Sequence, residues 1–122
     1  MKYVRFQGLT PNLGTSSKEG IFQLAYRLKR SPEITPYDDA ELRRNLAWLD
    51  MHLKSPEILE CSQSKRAICW FKETADEPIK RIWALKYLLE TYGNWIEVIK
   101  TGKPGVVLYQ DGWQVAAIPF RS

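Results

Sequence analysis

The sequence is poor in the residues from which metal sites and disulfide frameworks are built. Its 122 residues include two cysteines and one histidine. Cys61 and Cys69 form no CxxC pair, and one histidine with two cysteines does not supply a typical zinc ligand set. We therefore predict no metal, no cofactor and no disulfide, in keeping with a reducing cytoplasm.

Long apolar runs are also missing. Residues 1–6 lack the apolar segment of a signal peptide. No stretch approaches the roughly 20 apolar residues that cross a bilayer. These absences predict a cytoplasmic protein that does not associate with membranes.

No catalytic motif is legible in the sequence. Residues 102–105 contain glycines and a lysine, but they lack P-loop spacing and open no helix, so they predict a turn. A Gly-X-Ser-X-Gly elbow is absent as well. His52 is expected near the end of a helix, Cys69 in the core and Cys61 in a polar loop, each without a catalytic partner. We predict no catalytic residue and favour a protein without enzymatic activity.

Apolar and aromatic residues are abundant. Hydrophobic residues make up 44% of the chain and charged residues 26%, which fits one ordered domain over residues 1–122. Five Trp, six Tyr and four Phe could anchor its core, because each ring buries about 150–250 Å². The net charge of +4 favours acidic partners only weakly.

Apolar alternation and apolar runs predict five strands. They are expected at residues 2–7, 67–72, 95–100, 105–110 and 113–118. The run at 67–72 is apolar almost throughout, which is typical of a central strand covered on both faces. Asp111 and Gly112 are a strong hairpin signal between the last two strands. Residues 8–17 predict a loop.

Helical spacing predicts three helices. Ser16 and Glu19 have capping-box spacing before the first helix, and Thr74 and Glu77 repeat it before the third. Gly93 is well placed to end the third helix in a left-handed conformation.

The second helix has the clearest start. Thr35 can cap it, and Pro36 suits the first helical position. An apolar stripe follows at helical spacing: Leu42, Leu46, Leu49 and Leu53. Such a stripe predicts a face that packs in the core.

The predicted order is β-α-α-β-α-β-β-β, an α+β fold. The strand at 67–72, the helix at 77–92 and the strand at 95–100 suit a right-handed crossover between parallel strands. The last strands would then extend the sheet antiparallel. We therefore predict a mixed sheet with the helices packed mainly on one face.

Basic and aromatic residues are the best candidates for a binding surface. The candidates are Arg27, Arg30, Lys65, Arg66, Trp70, Trp95, Lys100, Lys103, Tyr109 and Trp113. Exposed rings can stack on bases while cations hold phosphates, and Trp, Tyr and Arg are also typical anchors of protein interfaces. The same residues could equally form the core and its solvated rim.

Three segments, residues 20–26, 67–72 and 105–117, resemble a group of small uncharacterised bacterial proteins. The resemblance covers most of the chain and implies a bacterial protein of shared fold. It implies no activity, because that group has no assigned function or catalytic residues.

Two functions remain open at this point. The missing catalytic set and the aromatic excess favour a small binding or regulatory domain that acts through a protein partner or through self-association. Self-association would use an open sheet face or the hairpin edge. The alternative is an RNA-binding protein or a small metal-independent ribonuclease of toxin type, by analogy of fold.

Overall fold

The computed structural model describes residues 1–11, 18–53 and 67–120, and within them it has three helices and six strands. The helices are α1 (Ile21–Lys29), α2 (Pro36–His52) and α3 (Asp76–Thr91). The strands are β1 (Tyr3–Pro11), β2 (Lys18–Gly20), β3 (Ile68–Lys72), β4 (Ile96–Thr101), β5 (Val106–Gln110) and β6 (Gln114–Ile118). The α+β class and the order of the predicted elements are confirmed, and β2 is one short addition to them.

All the strand pairings in the described ranges are antiparallel. β1 pairs with β4 on one side, and on the other side with β3 and then β2. β3 also pairs with β6, and β6 with β5, so the spatial order is β4, β1, β3, β6, β5. β3 and β4 are both antiparallel to β1 and hence parallel to each other, as a crossover requires. The sheet is antiparallel rather than mixed because β1 separates these two strands.

The first strand is longer than its alternating pattern indicates. Gly8 pairs with Ile96, and the amide of Leu9 donates to the carbonyl of Trp95 at 2.9 Å. The strand continues to Pro11, where β2 pairs with it. Residues 8–11 are therefore strand and not loop, and residues 12–17 lie outside the described ranges.

One of the three predicted helix starts is confirmed, and the other two differ from the prediction. Thr35 caps α2, and its Oγ1 accepts from the amide of Asp38 at 3.2 Å. The N-caps of α1 and α3 are Gly20 and Ala75, and neither residue has a side chain that caps its helix, although Gln23 Oε1 accepts from the Gly20 amide at 3.1 Å. α1 starts later than predicted because the residues before it pair with β1 as β2. Gly93 has a φ of 86°, which confirms the left-handed end predicted for α3.

The main core lies between the three helices and one face of the sheet. Val4 and Phe6 of β1, Phe71 of β3 and Ile96 of β4 provide the sheet side. The helices contribute Ile21, Leu24, Ala25, Leu28, Leu42, Leu46, Leu49, Ile82, Leu85, Leu88 and Leu89. The helices thus pack on one face of the sheet, as predicted.

The central strand β3 is covered on both faces over only part of its length. Trp70 and Phe71 are both buried, although they point to opposite faces, whereas Cys69 is exposed. Cys69 was expected in the core. It differs because β1 pairs with β3 only at Tyr3 and Val4, so no residue of β1 pairs with Cys69 in the ladder.

Candidate functional site

The structure disperses the candidate cations. Arg27 and Arg30 are exposed at the C-terminal end of α1, where cations suit the negative end of the helix. Lys100 and Lys103 are exposed on and just after β4. Two further candidates fall outside the described residues, Lys65 and Arg66.

A shallow hollow of about 380 Å³ lies beside Arg30, lined also by Tyr26, Lys29 and Arg43. Two of these side chains contact an aspartate outside the hollow. Arg43 is paired with Asp39 at 2.9 Å. Partial burial and a hydrogen bond to Asp50 raise the pKa of Tyr26 to about 12. The hollow therefore combines one ion-paired arginine and a hydrogen-bonded tyrosine with two further cations, Lys29 and Arg30.

The aromatic candidates differ widely in exposure. Trp70 is 9% exposed and cannot present a ring to a partner. Trp95 is 62% exposed and lies opposite Leu9, which is 51% exposed. Because Ile96 points into the core, Trp95 and Leu9 lie on the sheet face away from the helices. This face thus carries an exposed apolar pair at the start of β4.

Trp113 belongs to an aromatic cluster that joins the β5–β6 turn to the helices. Its ring centroid lies 5.9 Å from that of Trp48. His52, exposed at the end of α2, stacks on Trp48 with the ring centroids 4.1 Å apart, and the guanidinium of Arg81 lies 5.1 Å from the Trp48 ring. A cation over a ring at an exposed site stabilises by about 0.5–1 kcal/mol. These contacts account for the cluster as side-chain packing between the β5–β6 turn and the helices.

Asp111 holds the turn that positions Trp113. Its Oδ1 accepts from the amides of Trp113 (2.8 Å) and Gln114 (2.9 Å), and its Oδ2 accepts from the Tyr109 hydroxyl at 2.8 Å. Burial raises the pKa of Asp111, but these hydrogen bonds outweigh it, so the pKa lies below its ordinary value. The ionised carboxylate therefore stabilises the hairpin.

We expect Asp111→Ala to lower the free energy of unfolding by about 1–2 kcal/mol at pH 7, because two backbone amides lose an anionic acceptor. The native pKa is depressed, so this contribution is present above the unfolded pKa, near 3.9, and is lost as the pH falls through the lower native value. Urea unfolding at pH 7 and at about pH 2.5 measures it. A difference between variant and wild type that stays constant across this range would contradict the prediction.

β4 is an edge of the sheet in the described chain, with β1 as its partner strand there. The Leu9 amide donates to the Trp95 carbonyl, which makes this a hydrogen-bonded pair. Hydrogen-bonded and non-hydrogen-bonded pairs alternate in an antiparallel ladder, so the peptide groups of Ile96, Val98 and Lys100 point away from β1. β4 thus presents outward peptide groups at every second residue.

Glu90 satisfies the first of these outward groups. Its Oε2 accepts from the Ile96 amide at 3.3 Å, while Lys86 donates to Oε1 at 2.8 Å. The hydrogen bond from Lys86 is the main cause that holds the pKa of Glu90 below its usual range. No corresponding side chain in the described ranges meets the amides of Val98 and Lys100, which leaves the middle of the edge open.

Sequence reasoning missed most of this edge. It found Trp95 and Lys100 from their residue types, but not Val98 or Glu90, because outward peptide groups depend on pairing register.

The described residues contain no group of three His, Cys, Asp or Glu that could hold a metal ion. No helix in the described ranges is long and apolar enough to cross a bilayer. No family model, curated protein or solved structure matches this chain.

Proposed function

We propose that this protein is a non-enzymatic binding domain whose β4 edge pairs with an extended segment of a partner protein. One observation carries the proposal: the peptide groups of Val98 and Lys100 point outward and meet no described partner. In β-strand addition, such groups form main-chain hydrogen bonds to an incoming strand, and neighbouring side chains select its sequence.

β4 is the most suitable of the sheet's edges. Its register with β1 is unbroken from Tyr3–Thr101 to Gly8–Ile96. The opposite edge, β5, has a register shift between Val107 and Tyr109, and β2 has only three residues. Bulges and short strands are the usual means by which proteins protect an edge from pairing. β4 has neither of these protections.

The side chains beside the edge favour an acidic segment. Lys100 and Lys103 are exposed at one end of β4, and a lysine on an edge opposes pairing with another cationic or identical strand. At the other end, Trp95 and Leu9 offer an apolar surface. We infer a partner segment with acidic residues near the lysines and an apolar residue near Trp95.

Charge pairing favours a protein partner over RNA. Four described cations are paired with a carboxylate about one helical turn away: Arg43 with Asp39, Arg44 with Glu41, Arg81 with Glu77, and Lys86 with Glu90. Single-stranded RNA binding needs a continuous positive groove that tracks the phosphates. Cations that alternate with acids suit a mixed protein interface better.

The test compares two substitutions at one exposed residue. Lys100→Pro removes the outward amide, and Lys100→Ala removes the charge but keeps the amide. Because Lys100 and Val4 form a non-hydrogen-bonded pair, proline there leaves the bonds to β1 intact. Peptides selected from a random 12-residue display library against wild type, at about micromolar affinity, should bind Lys100→Pro about tenfold more weakly. Lys100→Ala should lose only about two- to threefold.

Titration calorimetry measures the affinities, and nitrogen-15 spectra report the site. The amides of Val98 and Lys100 should shift when a selected peptide binds. Equal binding by wild type and Lys100→Pro, or shifts confined to other residues, would contradict the proposal. A wild-type dimer that Lys100→Pro converts to a monomer in sedimentation would assign the edge to self-association instead. Salt-sensitive binding of single-stranded RNA with no peptide selected would assign the surface to nucleic acid.

A further inference from the structure

The sheet divides where β1 changes neighbours. β3 pairs with β1 at Tyr3 and Val4, and β2 pairs with it from Gln7 onward. Between the two lies a cleft of about 60 Å³, and its lining includes Arg5, Trp70 and the first residues of α1. We call it the Arg5 cleft. It is separate from the outer edge of β4, and its chemistry does not depend on the proposed partner.

Arg5 carries a positive charge that no described carboxylate pairs with directly. Its Nε donates to Gln7 Oε1 at 3.0 Å, and its Nη1 donates to the carbonyl of Cys69 at 3.1 Å. Glu97 is reached only through Gln7, whose amide nitrogen donates to it at 2.7 Å. Burial lowers the pKa of Arg5, yet a guanidinium stays charged in proteins. Its Nη2 has no hydrogen-bond partner within the described ranges and is the atom that could meet a ligand.

The start of α1 adds a second source of positive potential. Gly20 is the N-cap and has no side chain to cap the first amides, and the first turn has no acidic residue. Gln23 Oε1 accepts from the amide of Gly20 itself at 3.1 Å, which leaves the amides of the first turn without a described side-chain acceptor. A Cβ built on Gly20 would lie 3.5 Å from Arg5 Nη2, so the guanidinium sits beside the helix start. The first amides of a helix lack intrahelical acceptors, and the helix dipole makes this end positive. It is unfavourable to place the Arg5 guanidinium beside the positive end of α1 unless an anion binds between the two.

Trp70 supplies a third, independent observation. It is 9% exposed, it lines the cleft, and its buried Nε1 has no hydrogen-bond partner among the described residues. Val4 pairs with Phe71, and both point into the core. The next positions, Arg5 and Trp70, therefore share the opposite face of the sheet. A buried donor without an acceptor is rare in native proteins and points to a missing partner.

We propose that the Arg5 cleft binds an oxyanion, a carboxylate or phosphoryl group, between the Arg5 guanidinium, the Trp70 indole N–H and the start of α1. All three are hydrogen-bond donors, and a helix start with a guanidinium is well suited to an oxyanion. The lining also includes Cys69 and Gln114, and its apolar part favours a small apolar substituent on the ligand: Phe6, Ile21, Phe22 and Phe71. One water needs roughly 10–15 Å³ of such space, so the cleft admits the acidic group but not a nucleotide.

Isobutyrate and inorganic phosphate are the probes, each titrated into the nitrogen-15-labelled full chain at constant ionic strength with chloride. The indole signal of Trp70, identified by its loss in Trp70→Phe, should shift downfield and saturate. The probe that saturates the Trp70 signal at the lower concentration identifies whether the cleft prefers a carboxylate or a phosphoryl group. Arg5→Gln should weaken binding at least about tenfold. A Trp70 signal that does not move with either probe overturns the proposal.

Gly20→Asp gives a second test that does not remove a cleft side chain. It places a carboxylate beside Arg5 and caps α1, so it should raise the melting temperature and abolish binding of both probes. Gly20→Asn is the matched control, because it caps the helix without a charge. Binding to Gly20→Asp as tight as to wild type would overturn the proposal, even if Arg5→Gln failed to fold.

Discussion

Replacement of Gly105 by alanine is expected to lower the free energy of unfolding by about 3 kcal/mol or more. Gly105 precedes β5 and has a φ of 129°, which L side chains rarely adopt. A Cβ there would lie 2.0 Å from the carbonyl oxygen of Ile118 and 2.9 Å from Cα of Pro119. Both are backbone atoms, so relief requires the β5–β6 pairing to move.

Two other glycines are matched controls for this effect. Gly93 has a φ of 86° with nothing within 4 Å of its Cβ position, so Gly93→Ala should cost roughly 1–2 kcal/mol. Gly102 has neither a positive φ nor a close neighbour, so Gly102→Ala should be close to neutral. Urea unfolding of the three variants measures the series. Equal stability of Gly105→Ala and Gly102→Ala would contradict the packing at Ile118.

Leu85→Ala is expected to cost about 3–4 kcal/mol, the second large effect. Leu85 is fully buried in the main core, and α3 contacts α1, α2 and β4. Truncation removes apolar contacts and leaves a cavity that the surrounding elements can fill only in part. Because small domains are stable by only about 5–15 kcal/mol, this variant should lose a large fraction of its stability.

Tyr87→Ala is the control for Leu85→Ala, since Tyr87 is 74% exposed two residues further along α3. Both substitutions introduce alanine into the same helix, so their difference reports burial rather than helix propensity. Tyr87→Ala should change the free energy of unfolding by less than about 1 kcal/mol. If both variants lost the same stability in thermal and urea unfolding, the assignment of the core face of α3 would be wrong.

Local signals predicted the helices well and their starts unevenly. Thr35 and Pro36 act within a single turn, so α2 begins where the sequence indicates. The capping-box spacing of Thr74 and Glu77 is equally local, yet α3 begins with Ala75 as its N-cap. A spacing motif gives the types of residue that can cap a helix, whereas packing decides which turn is first.

The sheet was harder to predict because its pairings are nonlocal. Strand periodicity identifies a face but contains no information about which strand is the neighbour. The crossover between β3 and β4 was anticipated, but nothing in either strand indicates that β1 lies between them. The hairpin at Asp111 was predictable because its signal lies within the turn itself.

The functional sites were likewise predictable where the signal is local and not where it depends on strand pairing. Lys100 and Trp95 could be selected by residue type, but the outward peptide groups of β4 follow only from its register with β1. Trp70 was a candidate for the binding surface with the core as the open alternative, and it is buried, because both faces of β3 are covered at that residue. Arg5 gave no signal, since a polar residue in an alternating strand ordinarily faces water.

The central place of β1 has a consequence for how the chain is made. β1 leaves the ribosome before its partners, but its longest pairing is with β4, from Tyr3–Thr101 to Gly8–Ile96. At roughly 5–20 residues per second, β1 waits several seconds for that partner. The sheet therefore closes late, by a contact of long sequence separation, and such contacts slow folding. Until β4 has been synthesised, the side of β1 that pairs with it stays exposed in the nascent chain and offers a binding site for a chaperone.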